Sequence, residues 1–162
     1  RMSLEIIGDG PMRPSLEAQA EGLGISRSVT FHGAVHHQAV QDIAATTQIM
    51  TFPSIREFGG GVVLEAMALG VVPVVVDYAG PGELVDPRVG YKVPIGARSD
   101  IVTGLRALLE ELAVDPAALA EKSRAARTRV SERFTWPAKA RQVRRIYDWV
   151  LQGGVMSPPS PW

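Results

Sequence analysis

Val71-Val72-Pro73-Val74-Val75-Val76 is apolar at every position, and that continuity constrains the fold more than any other stretch. A strand with one wet face alternates apolar and polar residues, whereas a strand apolar throughout is covered on both faces, the situation of a parallel strand between helical layers. Its surroundings agree. Ile49-Met50-Thr51-Phe52 is a shorter strand-like run, and the segment between the two, Gly61 to Leu69, has helical periodicity and stops at Gly70, where a left-handed C-cap suits glycine. Strand, helix, strand in this order predicts an α/β fold with a parallel sheet and right-handed crossovers.

The rest of the chain extends the alternation. Leu4 to Ile7 reads as a strand ending in the turn Gly8-Asp9-Gly10-Pro11, and Pro14 to Gly22 as a helix with Leu16, Ala20 and Leu23 on one face. Val29 to His32, closed by Gly33, is a second strand, followed by a helix over His36 to Thr46. Asp77 to Gly82 reads as a turn and Val89 to Val93 as a last, weaker strand. Three helices follow, over Ser99 to Ala113 with Ile101, Leu105, Leu108 and Leu112 inward, Pro116 to Phe134 and Pro137 to Leu151, with Ser99 and Asp100 as the cap of the first. Residues 1–152 are thus one domain, and Gly153 to Trp162, rich in proline, a mobile tail. A buried-type strand so near residue 1 is the mark of a fragment.

Composition removes several classes of function. Seventeen basic and 17 acidic residues balance, so no overall field draws the chain to nucleic acid. The absence of cysteine excludes disulfides, thiolate metal sites and cysteine nucleophiles, and fits the cytosol. No apolar run reaches the ~18 residues of a spanning helix.

The chemistry concentrates between the third strand and its helix, in Glu57-Phe58-Gly59-Gly60-Gly61-Val62-Val63-Leu64-Glu65. Glycines at the C-terminal end of a parallel strand let backbone approach a ligand, and the N–H groups and dipole of the following helix favour a phosphate. A flexible turn explains the glycines equally well. The flanking acids suit a ligand anionic in its middle and rich in hydroxyls at both ends, since carboxylates accept paired hydrogen bonds from vicinal diols. The plainer alternative is that Glu65 complements the helix dipole and Glu57 is a solvated loop charge.

This stretch resembles the donor-site signature of the group 1 glycosyltransferases, retaining enzymes built of two Rossmann-like domains in the GT-B architecture, in which two glutamates are separated by seven residues, here Glu57 and Glu65. Pro53-Ser54, Glu65-Ala66-Met67-Ala68, Gly70 and Pro73-Val74 resemble the family in the same order, as do Gly8-Asp9-Gly10-Pro11, Val29 to Gly33 and Gly82 to Val85 before Gly90. The resemblance covers about residues 4 to 151 and implies the C-terminal, donor-binding half of such an enzyme. It implies that Glu65 holds the nucleotide ribose and that Glu57, the catalytic candidate, holds the sugar near its reacting carbon. Phe58, Gly59, Gly60, Gly61 and Val62 would line the diphosphate and hexose, while Gly8, Asp9, Gly10, Ala34 and Val35 would line the cleft and the base. It implies a nucleoside-diphosphate sugar as co-substrate and neither metal nor other cofactor.

Two departures from the family pattern stand out. Phe58 and three glycines follow the first glutamate, where many members place one glycine and then an aromatic. The family's first strand, with the glycine, arginine and lysine that grip the diphosphate, does not precede Leu4, nor does the acceptor domain. The expectation is therefore a donor half inactive by itself. Two alternatives remain: a non-catalytic nucleotide-sugar-binding module, and a related two-domain epimerase or disaccharide synthase.

His32, His36 and His37 read as cleft-edge or cap residues, because adjacent histidines on a helix point apart and no carboxylate cluster accompanies them. Arg124, Arg127, Arg129, Arg133, Lys139, Arg141, Arg144 and Arg145 crowd the last helices, either as a solvated face or as a peripheral contact with the inner face of an anionic membrane. Trp136 and Trp149 read as packing against the sheet or an absent domain, and an exposed apolar patch at Tyr147 to Leu151 would promote self-association.

Overall fold

The computed structural model describes residues 2–154. In chain order the elements are β1 (Leu4–Ile7), α1 (Arg13–Gly22), a 3-10 turn (Ser26–Ser28), β2 (Val29–Gly33), α2 (His37–Ala44), β3 (Ile49–Phe52), α3 (Gly61–Leu69), β4 (Val72–Val76), α4 (Ala79–Leu84), β5 (Tyr91–Val93), α5 (Arg98–Val114), α6 (Pro116–Arg133) and α7 (Trp136–Leu151). All three strand pairings are parallel, as the uninterrupted valines predict. They build two sheets rather than one, β1 with β2 and β3–β4–β5 in that order.

β4 divides the core. Its five residues are all buried, and alternation along the strand sends them to opposite faces. Val75 packs with Val63 and Met67 of α3, Leu84 of α4 and Ala126 of α6, while Val72 and Val74 pack with Leu112 of α5 and Leu119 of α6. Because α6 supplies Leu119 to one layer and Ala126 to the other, it passes around an end of the sheet. That end is where β4 begins: Arg127 donates from Nη2 to the Leu69 carbonyl at 2.6 Å, meeting the unpaired carbonyls and negative pole at the C-terminus of α3. Arg129 is likewise engaged, donating to Asp86 and to the Leu84 carbonyl. These two arginines tie α6 to the C-terminal ends of α3 and α4 instead of forming a solvated face.

α3 has the predicted limits, and Gly70 caps it in the left-handed region at φ 83°. Three local expectations are corrected, in α4, the cap of α5 and Trp136. Asp77 to Gly82 is not simply a turn, since α4 starts at Ala79; Pro81 falls in its first turn, where a missing N–H leaves no helical bond unmade. Ser99 and Asp100 lie inside α5, whose N-cap is Ala97, and Asp100 reaches back to accept from the Ala97 N–H at 3.2 Å. On α1 only Ala20 is buried, and Leu16 and Leu23 remain exposed. Trp136 is 89% exposed rather than packed on the sheet, with Tyr147 and Leu151 also exposed along α7. The predicted tail lies outside the described residues from position 155 onward.

Candidate functional site

The loop from Pro53 to Gly60 joins the C-terminal end of β3 to α3. Gly60 is the N-cap of α3 at φ 66°, a left-handed conformation, and a Cβ there would sit 3.1 Å from Pro81 Cγ; a side chain is opposed by backbone and by space. From the other side Gly80 donates its N–H to the Phe58 carbonyl at 3.1 Å. A Cβ on Gly80 would fall 2.4 Å from that same oxygen. The glycine loop is therefore pressed onto the start of α4, which helps fix its shape.

Glu57 completes the loop from within. Its Oε1 accepts from the N–H groups of Phe58, Gly59 and Gly60 at 3.0, 3.1 and 3.2 Å. The Gly60 and Gly59 amides, with Phe58, hold its carboxyl below the usual range against the opposing effect of desolvation. Two of the amides that the family resemblance assigns to a phosphate are thus turned onto the carboxylate of Glu57. The N–H groups of Gly61 and Val62, at the start of α3, have no carbonyl within the helix to receive them and carry the positive pole of its dipole. Phe58 is 96% exposed at the tip of the loop.

Glu65 is the fifth residue of α3, past the first turn, so complementing the dipole does not account for its position. Its side chain is 48% exposed, with Oε2 3.9 Å from His37 Nδ1 on α2. Together with Val62 it lines a groove between β1 and β3. Glu57 does not line that groove, so the two acids lie at the two ends of the loop and α3 rather than in one enclosed pocket.

On the β1 side, Gly8 donates to the Gly33 carbonyl at 2.9 Å. Asp9 accepts from its neighbour Gly10 at 2.7 Å and pairs through Oδ2 with Arg13 Nη1 at 3.2 Å, which makes it both a turn former and an anchor for α1. Ala34 is exposed and Val35 half-buried immediately before α2. His36 caps α2, its Nδ1 accepting from the Ala39 N–H at 3.2 Å, and His32 Nε2 meets Glu5 at 2.6 Å across the β1–β2 pair. The first is the cap expected from the sequence.

Sequence reasoning did not single out two side chains near these loops, Lys92 and Arg13. Lys92, in the middle of the short strand β5, pairs at 2.8 Å with Asp77, the residue just after β4; proximity to the C-terminal ends of parallel strands was the available signal. His37, read from the sequence as a cleft-edge or cap residue, lies beside Glu65 because α2 packs on α3. Arg13 follows from its spacing of four from Asp9 and from Glu17, whose Oε1 is 2.8 Å from Arg13 Nε.

Residues 1–126 match the model of the family described as glycosyl transferases group 1. A glycogen synthase of Mycobacterium tuberculosis is 30% identical over 145 residues, which cover 90% of this chain and 34% of the relative. A D-inositol 3-phosphate glycosyltransferase of Streptomyces avermitilis is 29% identical over 147 residues, covering 90% and 31%. The chain spans about a third of the length of these relatives. Among solved structures, a sucrose-phosphate synthase from Thermosynechococcus elongatus superposes with a TM-score of 0.73 at 24% identity, over 93% of this chain and 39% of that one. Anabaena HepE in complex with UDP gives 0.74 at 22% identity, over 91% and 41%. These likenesses establish the α/β fold, and the match over residues 1–126 establishes that the chain belongs to the group 1 glycosyltransferases.

Proposed function

We propose that this chain is the donor-binding domain of a retaining glycosyltransferase whose co-substrate is a nucleoside-diphosphate sugar. The observation that carries the reading is Glu65, a carboxylate beyond the dipole's reach that is half-exposed on the groove running along β3, a little over one helical turn from the glycine-capped start of α3. That the related fold of HepE was solved with UDP and with UDP-glucose supports a nucleotide sugar as the ligand class.

In this reading Glu65 accepts from the ribose hydroxyls, and the first N–H groups of α3 meet the distal phosphate. Glu57 spends one oxygen on its own loop and offers the other to a hydroxyl of the sugar, with Phe58 beside it. Gly8 to Gly10, Ala34 and Val35 border the base. Catalysis is then mainly positioning and stabilisation of charge on the departing diphosphate, with a phosphate oxygen assisting deprotonation of the acceptor on the same face and no metal involved. The acceptor site belongs to another part of the parent protein, and the site of action is the cytosol. Among the described residues no helix is long and apolar enough to cross a membrane.

A panel of nucleoside-diphosphate sugars supplied to the parent protein, with the anomeric configuration of the product read by NMR, tests the proposal. Transfer with retention is expected from the parent and none from residues 1–162 alone. Inversion, or transfer by the isolated chain, refutes it. Donor hydrolysis or epimerisation without transfer would favour the related sugar-nucleotide enzymes.

A further inference from the structure

Two exposed aromatic rings stand just beyond the ends of β3 and β4. These strands pair in parallel and finish side by side, and the segments that follow them carry Phe58, 96% exposed, and Tyr78, 43% exposed. Neither ring rides on loose backbone. Phe58 donates its N–H to Glu57 Oε1 at 3.0 Å, and its carbonyl accepts from Gly80 at 3.1 Å. Tyr78 donates its N–H to the Val76 carbonyl at 2.8 Å, and its carbonyl accepts from Gly82 at 3.1 Å. Because the Gly80 to Phe58 bond also joins the two segments, one interlocked unit presents both rings. With its backbone spent inside the loop, what Phe58 offers a ligand is the face of its ring. The C-terminal ends of parallel strands are where ligands of α/β sheets bind.

The charges around the rings define the kind of ligand that suits them. Arg56 and Lys92 are the cations of these strand ends, against the acids Glu57, Asp77 and Glu83, and Lys92 is already paired with Asp77 at 2.8 Å. There is no surplus of positive charge to draw a phosphorylated molecule or an anionic membrane. Aromatic faces bordered by hydrogen-bonding groups, here Arg56, the Tyr78 hydroxyl and the second oxygen of Glu57, match a ring that is apolar on its C–H face and polar at its rim. A neutral pyranose has that form.

We propose that Phe58 and Tyr78 form an aromatic subsite for the acceptor, and that the acceptor presents a neutral pyranose ring to them. The proposal rests on the donor reading above, in which Glu57 meets the sugar being transferred; Phe58 is the next residue, so a ring lying on it is adjacent to that sugar. The ribose at Glu65 lies at the other end of the loop and α3, so the rings are no platform for the nucleobase. The acceptor site, whose remainder belongs to another part of the parent protein, thus has one wall on this chain. That wall orients the acceptor and adds no group to the reaction.

Steady-state transfer by the parent protein tests this with a fixed set of acceptors: the methyl pyranosides of glucose, galactose and mannose, glycerol as a polyol without a ring face, and glucose 6-phosphate as a charged sugar. A methyl pyranoside is expected to be preferred to both controls. Phe58→Ala and Tyr78→Ala are each expected to raise the acceptor KM roughly tenfold, the scale of one lost aromatic contact, with far less change in the donor KM, and Phe58→Trp to keep the acceptor KM near wild type. Preference for glycerol or glucose 6-phosphate overturns the proposal, as does failure to use any pyranoside by a wild type that binds nucleoside diphosphate. So does a donor KM that rises together with the acceptor KM, because Phe58 would then serve the donor. An acceptor KM unchanged in Phe58→Ala also overturns it, and a lowered melting temperature in that variant would show the ring packed on the rest of the parent protein. A wild type that binds no nucleoside diphosphate refutes the donor reading itself, and the subsite falls with it.

Discussion

The pairing of the glycine loop with α4 predicts a sharp difference between two chemically identical substitutions. In Gly80→Ala the new Cβ would lie 2.4 Å from the Phe58 carbonyl oxygen and 2.8 Å from the carbonyl carbon of Gly59. Both are backbone atoms that cannot swing aside, so either α4 or the donor loop must move. Overpacking of this kind costs about 1–3 kcal/mol, and backbone obstruction places this case towards the upper half. The gain from restricting the unfolded chain offsets at most about 0.4–1 kcal/mol. In Gly59→Ala nothing lies within 4 Å of the added atom, so stability should stay within about 0.5 kcal/mol of wild type. Urea denaturation of both variants measures the difference as a shift in midpoint at constant slope. Exchange at the amides of residues 58–60 shows whether the loop is what yields. If Gly80→Ala unfolds at the same midpoint as Gly59→Ala, the interlocking of the two segments is wrong.

Three further outcomes are expected. Met67 is fully buried between α3 and β4, so Met67→Ala should lose about 2–5 kcal/mol in the same denaturation assay. Burial pushes the Asp86 carboxyl up, but hydrogen bonds from Arg129 and Arg88 outweigh it and hold the group well below the usual carboxylate range. Its contribution is therefore fully present above the unfolded value, about 3.9, and lost as pH falls through the depressed folded value. Urea midpoints of wild type relative to Asp86→Asn should show a constant advantage from pH 7 to 5 and a shrinking one below about pH 4. Glu57→Ala removes the acceptor of three loop amides, so exchange at residues 58–60 should accelerate while Val72–Val76 keeps its protection; unchanged loop protection would mean that Gly60 and Gly80 alone hold the turn.

The fold was legible where periodicity and punctuation agree. α3 could be delimited from the sequence because an apolar helical pattern runs between glycines that take left-handed caps at Gly60 and Gly70. α4 was hidden because Gly80, Pro81 and Gly82 each discourage a helix in isolation, although a first-turn proline does not. The split into two sheets could not be read from β1 or β3, since a strand's own pattern does not say whether both its edges are paired. At the site, the side chains were easier to find than their directions. Glu65 lines the groove between β1 and β3, whereas the turning of Glu57 onto its own amides depends on the Gly60 conformation, which residue identity permits but does not dictate. The arginines of α6 read as surface charge because their partners, the Leu69 carbonyl and Asp86, lie over 40 positions away in the chain.

The central claim is that Glu65 holds the ribose of a nucleoside-diphosphate donor. Calorimetric titration of the parent protein with nucleoside diphosphates, wild type against Glu65→Ala, tests it directly. Loss of hydrogen bonds to a charged group should weaken binding by about 1.5–3 kcal/mol, roughly 10- to 150-fold in Kd. Equal affinity in the two proteins would contradict the account.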